Sequence, residues 1–185
     1  TLTSSLIRMI SGFFIGLILG IGIGSLSYFF AFLRLVMEPM VTVLKAIPIV
    51  SYVILILIWA GSSNLSVYMG ILVVFPIVYT NILTGFDSLD EKMLELCFVY
   101  NLGLGRKFHL VYIPAMMPHL TSALKISIGM GFKAAVAAEV IGTPAFSIGE
   151  KIYMAKVHLQ TAEIFSWTIV LILCSYLFEK GMLAL

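Results

Sequence analysis

Two long stretches without a charged side chain constrain the fold of this chain more than any other feature. They cover residues 9–33 and 46–86, and the second is long enough to cross a bilayer about twice at roughly 20 residues per crossing. Of all 185 residues, 61% are apolar and 11% are charged. A soluble domain is usually about half apolar and about a quarter charged. The sequence therefore predicts an integral membrane protein.

The few charges and cysteines exclude several classes of function. The net charge is +2 and the basic residues are dispersed, so the chain offers no basic face for nucleic acid. Cys97 and Cys174 lie far apart in apolar surroundings and match neither a disulfide framework nor a metal-binding pair. No nucleophile, base and orienting group occur together. We therefore expect no catalytic residues, no cofactor and no metal, and predict that the chain is not an enzyme.

Five apolar segments follow one another along the chain, and all five are predicted to be helices. In lipid, backbone polar groups must be satisfied within a helix or a closed barrel, and the alternating pattern of barrel strands is absent. The second segment is short and could extend backwards through residues 40–47, with Pro48 breaking or kinking it. The segments are residues 6–33, 48–60, 65–86, 110–141 and 164–178.

The basic residues between the segments predict the orientation, because cytoplasmic loops carry an excess of Lys and Arg. The more basic set of loops, taken as cytoplasmic, holds Arg34, Lys45, Lys92, Arg106, Lys107 and Lys180; the opposite set holds Arg8, Lys151 and Lys156. The chain then ends in the cytoplasm. We predict one all-α transmembrane domain over residues 1–185 with about five spans. Since residue 1 is Thr and not an initiator Met, we expect a fragment or processed form that could lack an N-terminal span.

Four glycines spaced by four line one face of the first segment: Gly12, Gly16, Gly20 and Gly24. Small residues at this spacing let a second membrane helix approach closely. The run Gly20, Gly22 and Gly24 could suggest a nucleotide loop, but no strand precedes it and the spacing is not GxGxxG. The glycines are predicted to pack helices.

Four acidic residues cluster between the third and fourth segments, in the pattern of a short helix. Ser88 and Glu91 match an S-x-x-E capping box, and negative charge suits the positive end of a helix. The acids are therefore predicted to be caps and not metal ligands or catalytic carboxylates. They are Asp87, Asp90, Glu91 and Glu95.

An apolar stripe at helical spacing supports the same short helix. The stripe consists of Leu89, Met93, Leu96 and Tyr100, and Asn101, Gly103 and Gly105 are predicted to end the helix. Such a helix either lies on the lipid surface or docks onto another protein. A second capping box, Ser147 and Glu150, predicts another short helix on the opposite side of the membrane.

The sequence around this first short helix resembles a known motif. Residues 95–101 (ELCFVYN), then nine residues, then residues 111–114 (VYIP) resemble the EAA loop of permease subunits of bacterial ABC importers, which reads E-A-A, three residues, G, nine residues, I-x-L-P. Glu95 and Pro114 have the expected separation. Leu96 and Cys97 replace the two alanines, and Asn101 replaces the glycine. The first segment, the region around Pro48, and residues 133–144 and 147–167 extend the resemblance, over nearly all of the chain, to the nitrate, sulfonate, taurine and thiamine-precursor branch.

This resemblance implies a type I importer permease in the bacterial inner membrane. Residues 89–100 would be the coupling helix within a cytoplasmic loop over residues 87–107, seated in a cleft of a cytosolic ATPase. Glu95 would support the loop by accepting hydrogen bonds, and Asn101 would form its turn. The implied partners are ATPase subunits, a second permease copy and an extracytoplasmic substrate-binding protein. The sequence contains no G-x-x-x-x-G-K-[ST] loop to cradle ATP phosphates, which agrees with a separate ATPase.

Lys133 and Glu139 are ionisable residues within the fourth segment. A charge at membrane depth tends to face a bundle interior or a water-filled cavity. The two residues are predicted either to pair with other helices or snorkel, or to line the translocation path. An alternative function, an ion- or proton-coupled secondary transporter or channel, would use these same two residues.

Overall fold

The computed structural model describes residues 1–100 and 102–183, and it contains helices and no strand within those ranges. The helices are α1 (Leu2–Phe29), α2 (Ala31–Ala46), α3 (Ile49–Ala60), α4 (Leu65–Asp87), α5 (Glu91–Val99), α6 (Leu104–Lys107), a π-helical turn (Phe108–Tyr112), α7 (Ile113–Gly142), α8 (Ile148–Val157) and α9 (Thr161–Leu183). The predicted all-α membrane fold is confirmed.

Among the described residues, three helices are long and apolar enough to cross a membrane by length and composition: α1, α4 and α9. The pair α2 and α3 satisfies the same test together, but it is bent by 101°. The break lies at Ile47 and Pro48, where the sequence predicted a kink. The longest helix, α7, has 30 residues and is not among these candidates.

The first predicted segment, residues 6–33, covers most of α1 and only the start of α2. Phe30 has an extended backbone (φ −120°, ψ 99°), so α1 ends before it and α2 starts after it. Lys45, which the orientation argument counted as a loop residue, therefore lies within α2. Arg34, also counted there, is in the first turns of α2 and donates two hydrogen bonds of 2.9 Å to the carboxylate of Asp87 at the end of α4.

The core of the protein is formed mainly by α1, α4 and α7. All four glycines of the α1 face lie against α4: Gly12 approaches the backbone of Val67, and the others approach the side chains of Val74, Val78 and Ile82 in turn. Buried residues of α7, such as Ile128 and Phe132, complete the main apolar cluster with α1 and α4. The short helix α5 follows α4 at one end of this three-helix core, and the short helix α8 follows α7 at the other end.

Candidate functional site

The short helix α5 lies beyond the end of α4, as the sequence predicted, but with different caps. Its N-cap is Asp90, whose carboxylate accepts a hydrogen bond from the Lys92 N–H at 3.0 Å. Ser88 instead donates to the Gly85 carbonyl at 2.8 Å, because it terminates α4. The predicted Ser88–Glu91 capping box is therefore wrong. Asp87 is likewise not a cap but the partner of Arg34.

Because Asp90 caps α5, we expect Asp90→Ala to cost about 1 kcal/mol of local helix stability. Amide hydrogen exchange in α5 should then speed up by about fivefold, since the exchange rate follows the population of opened helix. The matched variant Ser88→Ala should leave exchange in α5 unchanged. The opposite ranking of the two variants would restore the capping box that the sequence suggested.

One face of α5 packs on the molecule and the other has no partner in the described part of the chain. Cys97 is buried and Leu94 packs against the main core, together with Leu89, which precedes the helix. The exposed apolar residues, called here the α5 outer face, are Met93, Leu96, Phe98, Val99 and Tyr100. Phe98 is 83% exposed. Of the predicted stripe, Leu89 thus faces inward, while the other three members lie on the outer face.

The remaining residues of the resemblance are placed around α5. Glu95 is exposed, and no described group donates a hydrogen bond to its side chain. Gly103 precedes α6, and its carbonyl accepts from the Lys107 N–H at 3.0 Å. Pro114 lies in the first turn of α7, directly after the π-helical turn. Asn101, the predicted turn residue, lies outside the described residues.

An aromatic cluster, which the sequence analysis did not single out, joins the loop of α5 to the core helices. Tyr28 of α1 stacks on Phe86 of α4 with ring centroids 4.6 Å apart, and Tyr112 lies edge-on to Phe86 at 5.8 Å. Phe86 and Tyr112 are both buried. The cluster links the helix before α5 to the helix after it, so α5 cannot shift freely relative to α1, α4 and α7.

At the opposite end, Glu139 joins four helices through its side chain. The carboxylate is fully buried and accepts hydrogen bonds from Ser5 Oγ of α1 at 2.7 Å and from Ser66 Oγ of α4 at 2.9 Å. It also accepts from the Gly149 N–H in the first turn of α8 at 3.2 Å. We call Ser5, Ser66, Glu139 and Gly149 the Glu139 clasp. Glu139 was predicted either to pair with other helices or to line the translocation path, and in this arrangement it pairs with other helices.

The clasp fixes the position of α8, the short helix that the second capping box predicted. Ser147 Oγ accepts from the Glu150 N–H at 2.9 Å, and the Glu150 carboxylate accepts from the Phe146 N–H at 2.8 Å. Ser5 Oγ also accepts from the Ile148 N–H at 2.9 Å. The first N–H groups of α8 are thus satisfied by side chains, and negative charge lies at the positive end of this helix.

Lys133 lies apart from Glu139, on the surface of the protein. Its side chain is exposed and lines a groove of about 560 Å³ between α7 and α9. Polar groups from α9 line the same groove, among them Thr168, Ser175 and Glu179. The structure therefore separates the two ionisable residues of the fourth segment. Within the described residues, no three His, Cys, Asp or Glu side chains lie close enough together to hold a metal ion.

Comparison with known proteins gives a family match over most of the chain. The family described as the binding-protein-dependent transport system inner membrane component matches residues 12–179. A putative aliphatic sulfonates transport permease from Bacillus subtilis is 28% identical over 168 residues, which is 90% of this chain and 60% of that protein. The taurine transport system permease of Escherichia coli is 25% identical over the whole chain and 67% of its own length. A bicarbonate transport system permease from Synechococcus elongatus is 26% identical, over 87% of this chain and 58% of its own length.

Proposed function

Because the chain belongs to the family of binding-protein-dependent transport system inner membrane components, we propose that it is the permease subunit of an ATP-driven ABC importer. It would act in the bacterial inner membrane with its C-terminus in the cytoplasm. A cytosolic ATPase would supply the energy, and an extracytoplasmic binding protein would deliver the solute. The chain spans 60% of the length of the sulfonate permease, so these partners belong to the proposal.

The observation that carries the proposal is the α5 outer face. Five exposed apolar side chains are concentrated on one short helix at one end of the molecule. The exposed charged residues Glu91, Lys92 and Glu95 lie between them around the helix, which has 3.6 residues per turn. Aromatic residues and Met are enriched at protein–protein interfaces, and an exposed helix that carries such residues fits into a groove. We propose that the groove belongs to the ATPase and that α5 is the coupling helix.

The aromatic cluster supplies a mechanical route from α5 to the membrane helices. A coupling helix is useful only if its displacement moves the spans, and packed cores transmit strain because they deform little. Phe86 and Tyr112 lie on either side of the α5 loop and contact each other and Tyr28. In our proposal, ATP binding displaces α5, and the cluster passes this displacement to α1, α4 and α7. The transporter would alternate between two states in this way.

We place the translocation path along the surface that bears Lys133. The residue lies about 13 Å before the end of α7 at 1.5 Å per residue, which is within the depth of a bilayer. An exposed charge at that depth faces water or protein in preference to lipid. A second copy of the permease, packed across the groove between α7 and α9, would enclose a water-filled path. We propose a homodimer for this reason.

The transported solute is proposed to be small and to carry an oxyanion group. Relatives are named for aliphatic sulfonates, taurine and bicarbonate, which share a sulfonate or carboxylate-like group. The structure offers no observation that favours the alternative of an ion- or proton-coupled transporter. Glu139, which such a mechanism would use, is enclosed in the clasp.

Substitution of Phe98 tests the role of α5. In Phe98→Asp, we expect recovery of the ATPase with the tagged permease to fall roughly thirtyfold, the loss caused by removing about 2 kcal/mol at an interface hot spot. ATP-driven uptake in proteoliposomes should fall with it. Val157→Asp places the same substitution at an exposed apolar site on α8, at the other end of the molecule, and should leave recovery of the ATPase unchanged. Uptake by the permease in liposomes without any ATPase would contradict the importer proposal.

A further inference from the structure

Lys45 lies at membrane depth beside Thr80. The pairing of Arg34 with Asp87 sets the first turns of α2 beside the last turn of α4. Lys45 is about 16 Å further along α2, and Thr80 is about 10 Å inside the end of α4, at 1.5 Å per residue. The Lys45 ammonium donates a hydrogen bond to Thr80 Oγ1 at 2.5 Å. The positive charge is therefore held well inside the span that α4 defines.

The charge of Lys45 has no counter-ion among the residues that the structure describes. The ion pairs found there involve Arg34, and no carboxylate lies within ion-pair distance of Lys45. An ammonium group carries three N–H donors, and Thr80 accepts one. Thr80 directs its own hydrogen to the Pro76 carbonyl at 2.6 Å, so it serves Lys45 purely as an acceptor. The other two donors have no acceptor in the described residues, and the side chain is exposed.

The helix break next to Lys45 indicates water on this side of the molecule. The chain leaves α2 at Ala46, one residue after Lys45, and resumes as α3 at Ile49 with a 101° bend. Non-helical backbone at membrane depth is tolerated where it is buried in protein or lines a water-filled cavity, and Pro48 is exposed. In transporters, discontinuous helices near the midplane mark solute sites.

We propose that Lys45 binds the oxyanion group of the transported solute, a sulfonate or a carboxylate, at the break between α2 and α3. This inference rests on the proposed function and deepens it. The two available N–H groups of Lys45 donate charge-assisted hydrogen bonds to the anion, which are about twice as strong as neutral ones. Thr80 is a positioning residue, because its hydroxyl holds the ammonium group toward the break.

The test replaces the charge and then restores it chemically. Full-length permease with Cys97→Ala and Cys174→Ala is reconstituted with its ATPase and saturating binding protein, and ATP-driven uptake of radiolabelled ethanesulfonate and taurine is measured. Lys45→Cys should lower the uptake rate about tenfold or more, as expected for losing a charged hydrogen bond. A methanethiosulfonate that adds an ammonium group should restore several-fold of the rate, whereas one that adds a sulfonate should restore none. Ethanesulfonate should also slow the modification of the new thiol.

Two controls separate this proposal from a structural role of Lys45. Lys180→Cys, at the far end of α9, should keep the wild-type rate under both reagents. Lys45→Arg keeps the charge and should retain most of the uptake. Recovery of the assembled complex should be unchanged in all variants, and Lys180→Cys should also keep the basal rate of ATP hydrolysis.

The outcomes distinguish failure of the site from failure of the proposed function. If Lys45→Cys takes up the anion as fast as the wild type does, the proposed anion site is wrong, and the proposed importer function is unaffected. Recovery of rate with both reagents, or loss of the assembled complex in Lys45→Cys, assigns Lys45 to packing and also overturns the site. Absence of ATP-driven uptake by the wild type contradicts the proposed function itself.

Discussion

Replacement of Glu139 by Ala is expected to cost about 3 kcal/mol or more of stability. The substitution leaves the hydroxyl groups of Ser5 and Ser66 and the Gly149 N–H without their acceptor. Each buried donor that loses its partner costs about 1–3 kcal/mol, and the missing side chain also leaves a cavity. For a chain of this length, 3 kcal/mol corresponds to a fall in Tm of about 6–12 °C.

The measurement uses the two native cysteines. Cys97 is buried and Cys174 is partly buried, so a thiol-reactive dye reports unfolding in detergent. Glu139→Gln retains one carbonyl acceptor but turns an amide group toward donors, and its Tm should lie between those of the wild type and Glu139→Ala. Glu163→Ala, at the exposed start of α9, removes the same side chain without a buried partner and should shift Tm by less than about 2 °C. Equal shifts for Glu139→Ala and Glu163→Ala would contradict the clasp.

The clasp also explains why the sequence could place Glu139 but could not settle its role. Its partners Ser5 and Ser66 lie 134 and 73 residues away, and neither belongs to a motif. The local signal was limited to an ionisable residue in an apolar helix. Such a residue can line a translocation path or pair with another helix equally well. Tertiary packing decides between the two, and it also brings the Gly149 N–H in the first turn of α8 to the Glu139 carboxylate.

Local sequence signals succeeded where one residue type determines the backbone. Pro48 marked the break between α2 and α3, and Ser147 with Glu150 marked the start of α8. The same type of capping signal gave the wrong residue at α5, because Ser88 and Asp90 are both good N-cap residues and lie two residues apart. The chain still completes the last turn of α4 at Ser88, so Asp90 is the cap. The end of α1 at Phe29 carries no Gly or Pro signal, and the sequence analysis did not predict α2, so Lys45 was counted as a loop residue.

The contact between α1 and α4 follows from a pattern that can be read directly from the sequence. Glycines at every fourth position remove the side chains that would separate two membrane helices. Their spacing predicts close contact but not the partner helix. The structure supplies the partner, α4, and shows that Gly70 of α4 approaches the backbone of Gly12 in return.

We expect Gly12→Leu to separate α1 from α4 and to lower stability by about 3 kcal/mol, at the upper end of the cost of overpacking a core. A Cβ atom on Gly12 would lie 2.6 Å from the Val67 carbonyl oxygen and 3.0 Å from its Cα, and backbone atoms cannot rotate away. Gly22 belongs to the same helix, but a Cβ there meets nothing within 4 Å. Gly22→Leu should therefore raise Tm slightly, because Leu is a better helix former than Gly by up to about 1 kcal/mol. Opposite signs of the two Tm shifts, measured with the same thiol dye, are the expected result. A fall of similar size in both variants would mean that α1 does not pack on α4 through this face.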